Sequence, residues 1–258
     1  MTATDELLFE REGAIGVITL NRPQARNALT FAMYERLAEL CRDTESLGVK
    51  ALIVTGAGDK AFAAGTDIAQ FRGFTTEQHA LDYEAKIDAV LGAVETCPLP
   101  TVAAISGACT GGGAAIAAAC DLRIASTDLK FGFPIARTLG NCLSVANLAR
   151  LAALLGAGRT REILFTSRLV GAEEALAAGL ISEVLADHDS LMARARALAA
   201  QLTEQAPLTL RATKEGLRRL VQPGIEDSDL IVSCYTSEDF REGLEAFLAK
   251  RKPNWQGR

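Results

Sequence analysis

Apolar positions near the start of the chain alternate or cluster over spans too short for a helix, and they predict two strands. LLFERE (7–12) and AIGVITL (14–20) flank Gly13–Ala14, which reads as a tight turn. The period then changes. Met33, Leu37, Leu40 and Cys41 recur at helical spacing behind Thr30, a residue type suited to an N-cap. VKALIVTG (49–56) is an unbroken apolar run and reads as a buried strand, whereas AGDKAFAAGTDI (57–68) reads as a loop. Residues 69–96 are polar and partly helical, and CPLP (97–100) breaks the chain before the strand TVAAIS (101–106). DLRIAS (121–126) and LKFGF (129–133) predict two more short strands. From Leu143 onward helices dominate, with Leu143, Ala146, Ala149, Leu151, Leu154 and Leu155 forming one apolar face. Gly179 reads as a helix stop before the strand LISEVL (180–185). PLTLRATKEGLRRLV and SEDFREGLEAFLAKR are amphipathic helices of a C-terminal helical region. Strand-then-helix units in succession predict an α/β fold.

One segment interrupts this regularity. In AAISGACTGGGAAIAAACDLRIA an apolar strand ends at Ser106, glycines follow, and an Ala-rich helical pattern begins. Gly111, Gly112 and Gly113 would let backbone N–H groups approach a ligand at the positive end of a helix dipole. Such fixed donors stabilise a developing oxyanion without a titrating side chain. Tight helix–strand packing is the other reading of the same glycines.

Composition narrows the field. The 258 residues are 49% apolar, enough for a sizeable core in one α/β domain with a helical appendage. Net charge is −5 and the Lys and Arg residues are scattered, which argues against nucleic acid as a partner. No apolar run approaches the roughly 18–20 residues of a membrane span, and MTATDELLFEREG lacks a signal-peptide pattern, so a cytoplasmic protein is expected. Cys41, Cys97, Cys109, Cys120, Cys142 and Cys234 form no CxxC pair and read as buried reduced thiols. GxxxxGK[ST], GxGxxG after a strand and GxSxG are all missing, and His79 and His188 are too few for a multi-His metal site. No metal is expected, and His188 reads as a surface residue.

What remains is an ordered set of signals: NRPQARNAL, KAFAAGTDI, GACTGGGAA before CDLRIAS and FGFP, and a terminal SEDFREGLEAFLAKRKPNW. Together these resemble the enoyl-CoA hydratase/isomerase (crotonase) family over essentially the whole chain. The resemblance implies a spiral of ββα units over 1–195 and a helical trimerisation module over 196–258, giving a homotrimer or a dimer of trimers. It implies a coenzyme A thioester as substrate and no separate cofactor. It places the two backbone oxyanion donors at Thr66 and Gly112. It also implies that Ala64, Asp67 and Ile68 line the ligand, although Asp67 equally suits a helix cap. Arg22 and Arg26 are candidates for coenzyme phosphates, with exposed loop charge as the alternative. Phe247 and Lys250 match positions that close the pocket, or belong to an ordinary amphipathic helix.

The family's hydratases place one glutamate two residues after the glycine triplet and another after the FGxP proline, a paired acid/base arrangement. Here Ala115 and Ile135 hold those places, and neither transfers a proton. IARTLGNCLS carries an extra residue before Gly140, and shifting the alignment brings Ala136 or Arg137 there, still no acid. Paired-carboxylate hydration is therefore unexpected. Three readings stay open: an enzyme working through a thioester enolate, a decarboxylase or hydrolase of a carboxylate-bearing acyl-CoA, and a silent acyl-CoA-binding protein. Acid/base candidates are His79, Tyr83 and Arg137, with Lys86, Asn141 and Ser144 as further polar groups.

Overall fold

The computed structural model describes residues 6–71, 75–220, 229, 232 and 236–258, with the side chains of Phe247 and Leu248 outside that description. The predicted hairpin forms from β1 (Leu7–Glu12) and β2 (Ile15–Leu20), paired antiparallel from Leu7↔Leu20 to Glu12↔Ile15. β3 (Ala51–Gly56), β5 (Thr101–Ile105), β7 (Leu122–Ser126) and β9 (Val184–Leu185) extend it in parallel, giving the order β1-β2-β3-β5-β7-β9. A second, parallel sheet is built from β4 (Ala61–Ala63), β6 (Ala108–Thr110) and β8 (Lys130–Gly132).

The chain therefore alternates between sheets. β3 feeds β4, β5 feeds β6 and β7 feeds β8, and each pair is followed by a helix: α3 (Glu77–Glu95), α4 (Gly112–Ala119) and α5 (Val145–Thr166). This is the expected spiral of ββα units. β4 and β6 were not predicted, because three-residue strands carry no readable period. Their pairing partners, such as Ala61↔Ala108 and Cys109↔Phe131, are remote in sequence. LISEVL contributes only Val184–Leu185 as strand, since Leu180 and Ile181 are buried in the turn leaving α6 (Ala172–Ala177).

α1 (Phe31–Arg42) begins as predicted, with Thr30 Oγ1 accepting from Met33 N at 3.3 Å; the short α2 (Thr44–Leu47) follows it. Its face Met33, Tyr34, Leu37, Leu40 and Cys41 joins Leu91, Val94 and Ile116 in the main core. α4 lies inside the molecule with Gly113 to Ala119 buried, so small side chains are what its neighbours admit. Arg123 secures its far end, donating from Nε to Leu180 O (2.8 Å) and from Nη1 to Cys120 O (2.5 Å) and Ala117 O (3.4 Å). A buried guanidinium there satisfies helix-terminal carbonyls and complements the dipole.

On the outer face of the large sheet, α7 (His188–Thr203) packs Leu191, Met192, Ala195 and Ala199 onto Val17, Ile53, Val102 and Ile124. Residue 195 falls inside this helix, and Leu198 and Leu202 beyond it pack against the same sheet cluster. α8 (Pro207–Arg219) is tied to the core by Lys214 Nζ, 2.9 Å from Asp121 Oδ2. After α9 (Glu238–Leu248) the tail turns back, with Trp255 Nε1 donating to Glu204 O at 3.0 Å. Among the described residues no helix is long and apolar enough to cross a membrane, and no group of His, Cys, Asp or Glu is placed to hold a metal.

Candidate active site

The three glycines are required for three different reasons. Gly111 adopts φ 52, ψ −119, a conformation that a side chain disfavours. Gly113 lies against β4, where a Cβ would sit 2.3 Å from Ala63 O. The packing reading is therefore correct for this residue. Gly112 is the first residue of α4, and a Cβ there would lie 1.9 Å from the Tyr34 hydroxyl and 3.1 Å from Thr66 Oγ1.

Thr66 reaches the same corner from β4. Leu29 N donates to Gly65 O (2.8 Å) and Asp67 N to Leu29 O (2.9 Å), a parallel bridge that engages the residues on either side of Thr66. The Thr66 N–H consequently faces the other way. Among the described residues, neither the Thr66 nor the Gly112 N–H has a hydrogen-bond partner. Both residues line one cavity, which also exposes Ala64, Ile68, Phe71, Tyr83, Glu84, Ala115, Ile135 and Leu143.

A chain of hydroxyls crosses this wall. Tyr34 OH is 2.8 Å from Thr66 Oγ1, which is 3.2 Å from Tyr83 OH. Burial raises both phenols above their ordinary pKa, so they are neutral hydrogen-bonding groups near neutral pH. Phe71 supports Tyr83 edge-on, with ring centroids 4.9 Å apart.

Of the residues singled out from sequence, Thr66, Gly112, Ala64, Ile68 and Tyr83 converge on the cavity, as do Ala115, Ile135 and Asn141. Asp67 does not line it; its Oδ1 accepts from Ala69 N at 3.0 Å and its Oδ2 from Arg22 Nη2 at 3.0 Å. Arg22 is committed to that ion pair and to Ala28 O (2.6 Å), while its Nε sits 3.2 Å from Glu6 Oε1 without an aligned hydrogen bond. Arg26 is exposed at φ 51, away from the cavity lining. His79 is exposed at the start of α3, where its Nδ1 accepts from Thr75 N at 3.1 Å. Arg137 follows the short turn Pro134–Ala136 and is exposed. Lys86 pairs with Glu35 at 2.8 Å, and Ser144 caps α5 while donating to Asp88 at 2.6 Å. Lys250 is exposed after α9, and the Phe247 side chain lies outside the described residues.

Sequence reasoning passed over Tyr34 and Glu84. Tyr34 carries no signal of a role in the sequence, and only the fold shows its hydroxyl emerging at Gly112. Glu84 reads as one charge in a polar helix. It is half-buried, and burial together with Asp88 raises its pKa above the usual carboxylate value. Cys142, expected among the buried thiols, is exposed and lines the cavity; Cys41, Cys97, Cys109 and Cys120 are buried, and Cys234 lies outside the described residues.

Comparison with known proteins places this geometry. The enoyl-CoA hydratase/isomerase family profile matches residues 10–258. A short-chain-enoyl-CoA hydratase from Clostridium acetobutylicum is 33% identical, covering 96% of both chains. A crotonyl-CoA hydratase from Syntrophomonas wolfei is 31% identical over 98% of both. The crystal structure of an enoyl-CoA hydratase/carnithine racemase from Magnetospirillum magneticum superposes with a TM-score of 0.90 at 36% identity, covering 98% of this chain and 96% of that one. An ordered pattern that matches almost end to end, on the same fold, makes this chain a member of the enoyl-CoA hydratase/isomerase family.

Proposed function

We propose that this protein processes acyl-CoA thioesters through an enolate whose oxygen is held by the Thr66 and Gly112 N–H groups. The supporting observation is that two backbone donors without a partner among the described residues, one at a helix N-terminus, belong to residues that line one largely apolar cavity. Fixed donors in a water-poor site stabilise developing negative charge at little reorganisation cost. Ile68, Phe71, Ile87, Ile135 and Leu143 give the acyl chain apolar surroundings. The chemistry asks for no group beyond the coenzyme A of the substrate.

Hydration by two carboxylates is disfavoured, since Ala115 and Ile135 both line the cavity and neither carries a proton. For the decarboxylase or hydrolase reading, no Arg or Lys is among the described lining residues to hold a substrate carboxylate, so a carboxylate-binding role for Arg137 has no support. Proton transfer around an enolate, of the isomerase kind, fits best. Val145, Phe165 and Leu244 are exposed in the single chain and support self-association, with a homotrimer or dimer of trimers as the expected assembly.

Incubation with an acyl-CoA in deuterated water, followed by mass spectrometry, tests the enolate directly. Gly112→Pro deletes one donor at a position where helices tolerate proline. It needs Tyr34→Phe beside it, to clear the hydroxyl that crowds the new ring. Deuterium uptake should fall by roughly 100-fold or more in that pair relative to Tyr34→Phe alone. Undiminished uptake with the fold intact refutes the assignment.

A further inference from the structure

The proposed enolate leaves the proton itself without a carrier, and one side chain of the cavity suits that task. Among the described lining residues Glu84 is the only carboxylic acid. Tyr83, Glu84 and Ile87 line the wall together, at the positions of α3 that share a face. Burial of Ile87, Val90, Leu91 and Val94 in the core fixes the helix there.

Glu84 also differs from the acids around it. Glu35 is paired with Lys86, Glu95 with Arg150, Asp67 with Arg22, and Asp88 accepts from Ser144. For Glu84 no ion pair or hydrogen bond is found among the described residues. A carboxyl held half out of water, with no cation among the described residues to stabilise its charge, keeps its basicity. Among the described residues, the titratable groups that interact with it or share its cavity are Asp88 one turn along α3, Tyr83 beside it, Tyr34 from α1 and Cys142 from the loop before α5. None of them is a cation.

Building on the enolate reading, we infer that Glu84 is the acid/base of this cavity, shifting the double bond of an unsaturated acyl-CoA by a single proton shuttle. The carboxylate takes a proton from the α-carbon of a β,γ-unsaturated thioester. That C–H bond breaks, an O–H bond forms on Glu84, and the electron pair passes into the thioester carbonyl, giving a dienolate. Thr66 and Gly112 hold its oxygen. Glu84 then returns the proton to the γ-carbon, the double bond settles between the α- and β-carbons, and the carboxylate is regenerated. Nothing is oxidised or reduced and no co-reactant is needed. One carboxyl suffices because the proton removed is the proton returned, whereas hydration by the family's arrangement uses two. Burial, with Asp88 close by, raises the pKa of Glu84 above the usual carboxylate value and so makes it a stronger base than an exposed glutamate.

The test compares wild type, Glu84→Gln and Glu84→Asp as full-length proteins. The readouts are binding of a saturated acyl-CoA by calorimetry, deuterium uptake at its α-carbon, and conversion of a β,γ-enoyl-CoA to the conjugated isomer. Glu84→Gln should bind with unchanged affinity yet lose uptake and isomerisation by about 100- to 10,000-fold. Glu84→Asp should recover part of both, and the acidic limb of the wild-type pH profile should vanish with Gln. Full activity in Glu84→Gln overturns the assignment to Glu84 and leaves the oxyanion corner standing. A wild type that binds the thioester but neither exchanges nor isomerises overturns the enolate reading, and the role of Glu84 with it.

Discussion

The Tyr34 hydroxyl stands 2.8 Å from Thr66 Oγ1 and occupies the space into which any side chain on Gly112 would project. A tyrosine on α1, a threonine after β4 and the first residue of α4 are thereby locked into one corner. Tyr34 is fully buried, so its hydroxyl depends on Thr66 for a partner. The corner that presents the two N–H donors is thus held rigid by a side-chain contact as well as by the backbone.

Gly112→Ala should destabilise the protein by about 1–3 kcal/mol, the usual cost of forcing a carbon into a filled site. Adding Tyr34→Phe removes the atom 1.9 Å away and leaves Tyr34 Cζ, 3.2 Å away, as the nearest tyrosine contact. The double variant should therefore melt higher than Gly112→Ala alone. Equal melting temperatures would mean that Tyr34 is not what excludes a side chain.

Thr66→Ala keeps its backbone donor but orphans the buried Tyr34 hydroxyl, at a cost of roughly 1–3 kcal/mol. Tyr34→Phe should then recover much of the loss, so the two substitutions are strongly non-additive in denaturant unfolding. Additive effects would show that the 2.8 Å contact contributes nothing.

Glu84 links the site to stability through pH. Its folded pKa is raised above 4.5, so between 4.5 and the raised value the native state binds more protons than the unfolded chain. Stability then falls as pH rises through that window. Glu84→Gln carries no charge at any pH. It should melt higher than wild type near neutral pH, with the gap closing as pH drops below 4.5. A gap independent of pH would contradict the burial of this carboxyl.

Arg123 is buried, and its guanidinium bonds are made to backbone carbonyls of Ala117, Cys120, Asp121 and Leu180. Arg123→Met leaves carbonyls at the far end of α4 without donors and should cost about 3 kcal/mol or more. Arg123→Lys keeps the charge but not the fork, and should recover only part of the loss. Chemical denaturation decides it, and full stability in the Lys variant would show that charge alone matters.

Ala115 and Ile135 both line the cavity, so glutamates there would restore paired carboxylates. The double change Ala115→Glu, Ile135→Glu should create measurable hydration of crotonyl-CoA where wild type shows little. Robust hydration by the wild type would instead reveal a base that stands in for both.

The sequence by itself determined the main strands, the capped α1, the glycine-opened α4 and the family. The elements rest on local properties, periodicity or backbone freedom, that a short stretch of chain expresses alone, and the family on the order of motifs along nearly the whole chain. It also showed which acids are missing, because identity at a motif position needs no coordinates. Only the tertiary structure decided which groups meet. β4 and β6 exist because the spiral pairs them with remote partners, and Arg22 turns inward because Asp67, 45 residues on, is its ion-pair partner. Tyr34 came to stand against Gly112 and Thr66 through packing across three elements, and Glu84 came to line the cavity through the wall that α3 presents to it. A carboxyl's chemistry depends on what surrounds it in space. In sequence, Glu84 is indistinguishable from any solvated charge on a polar helix.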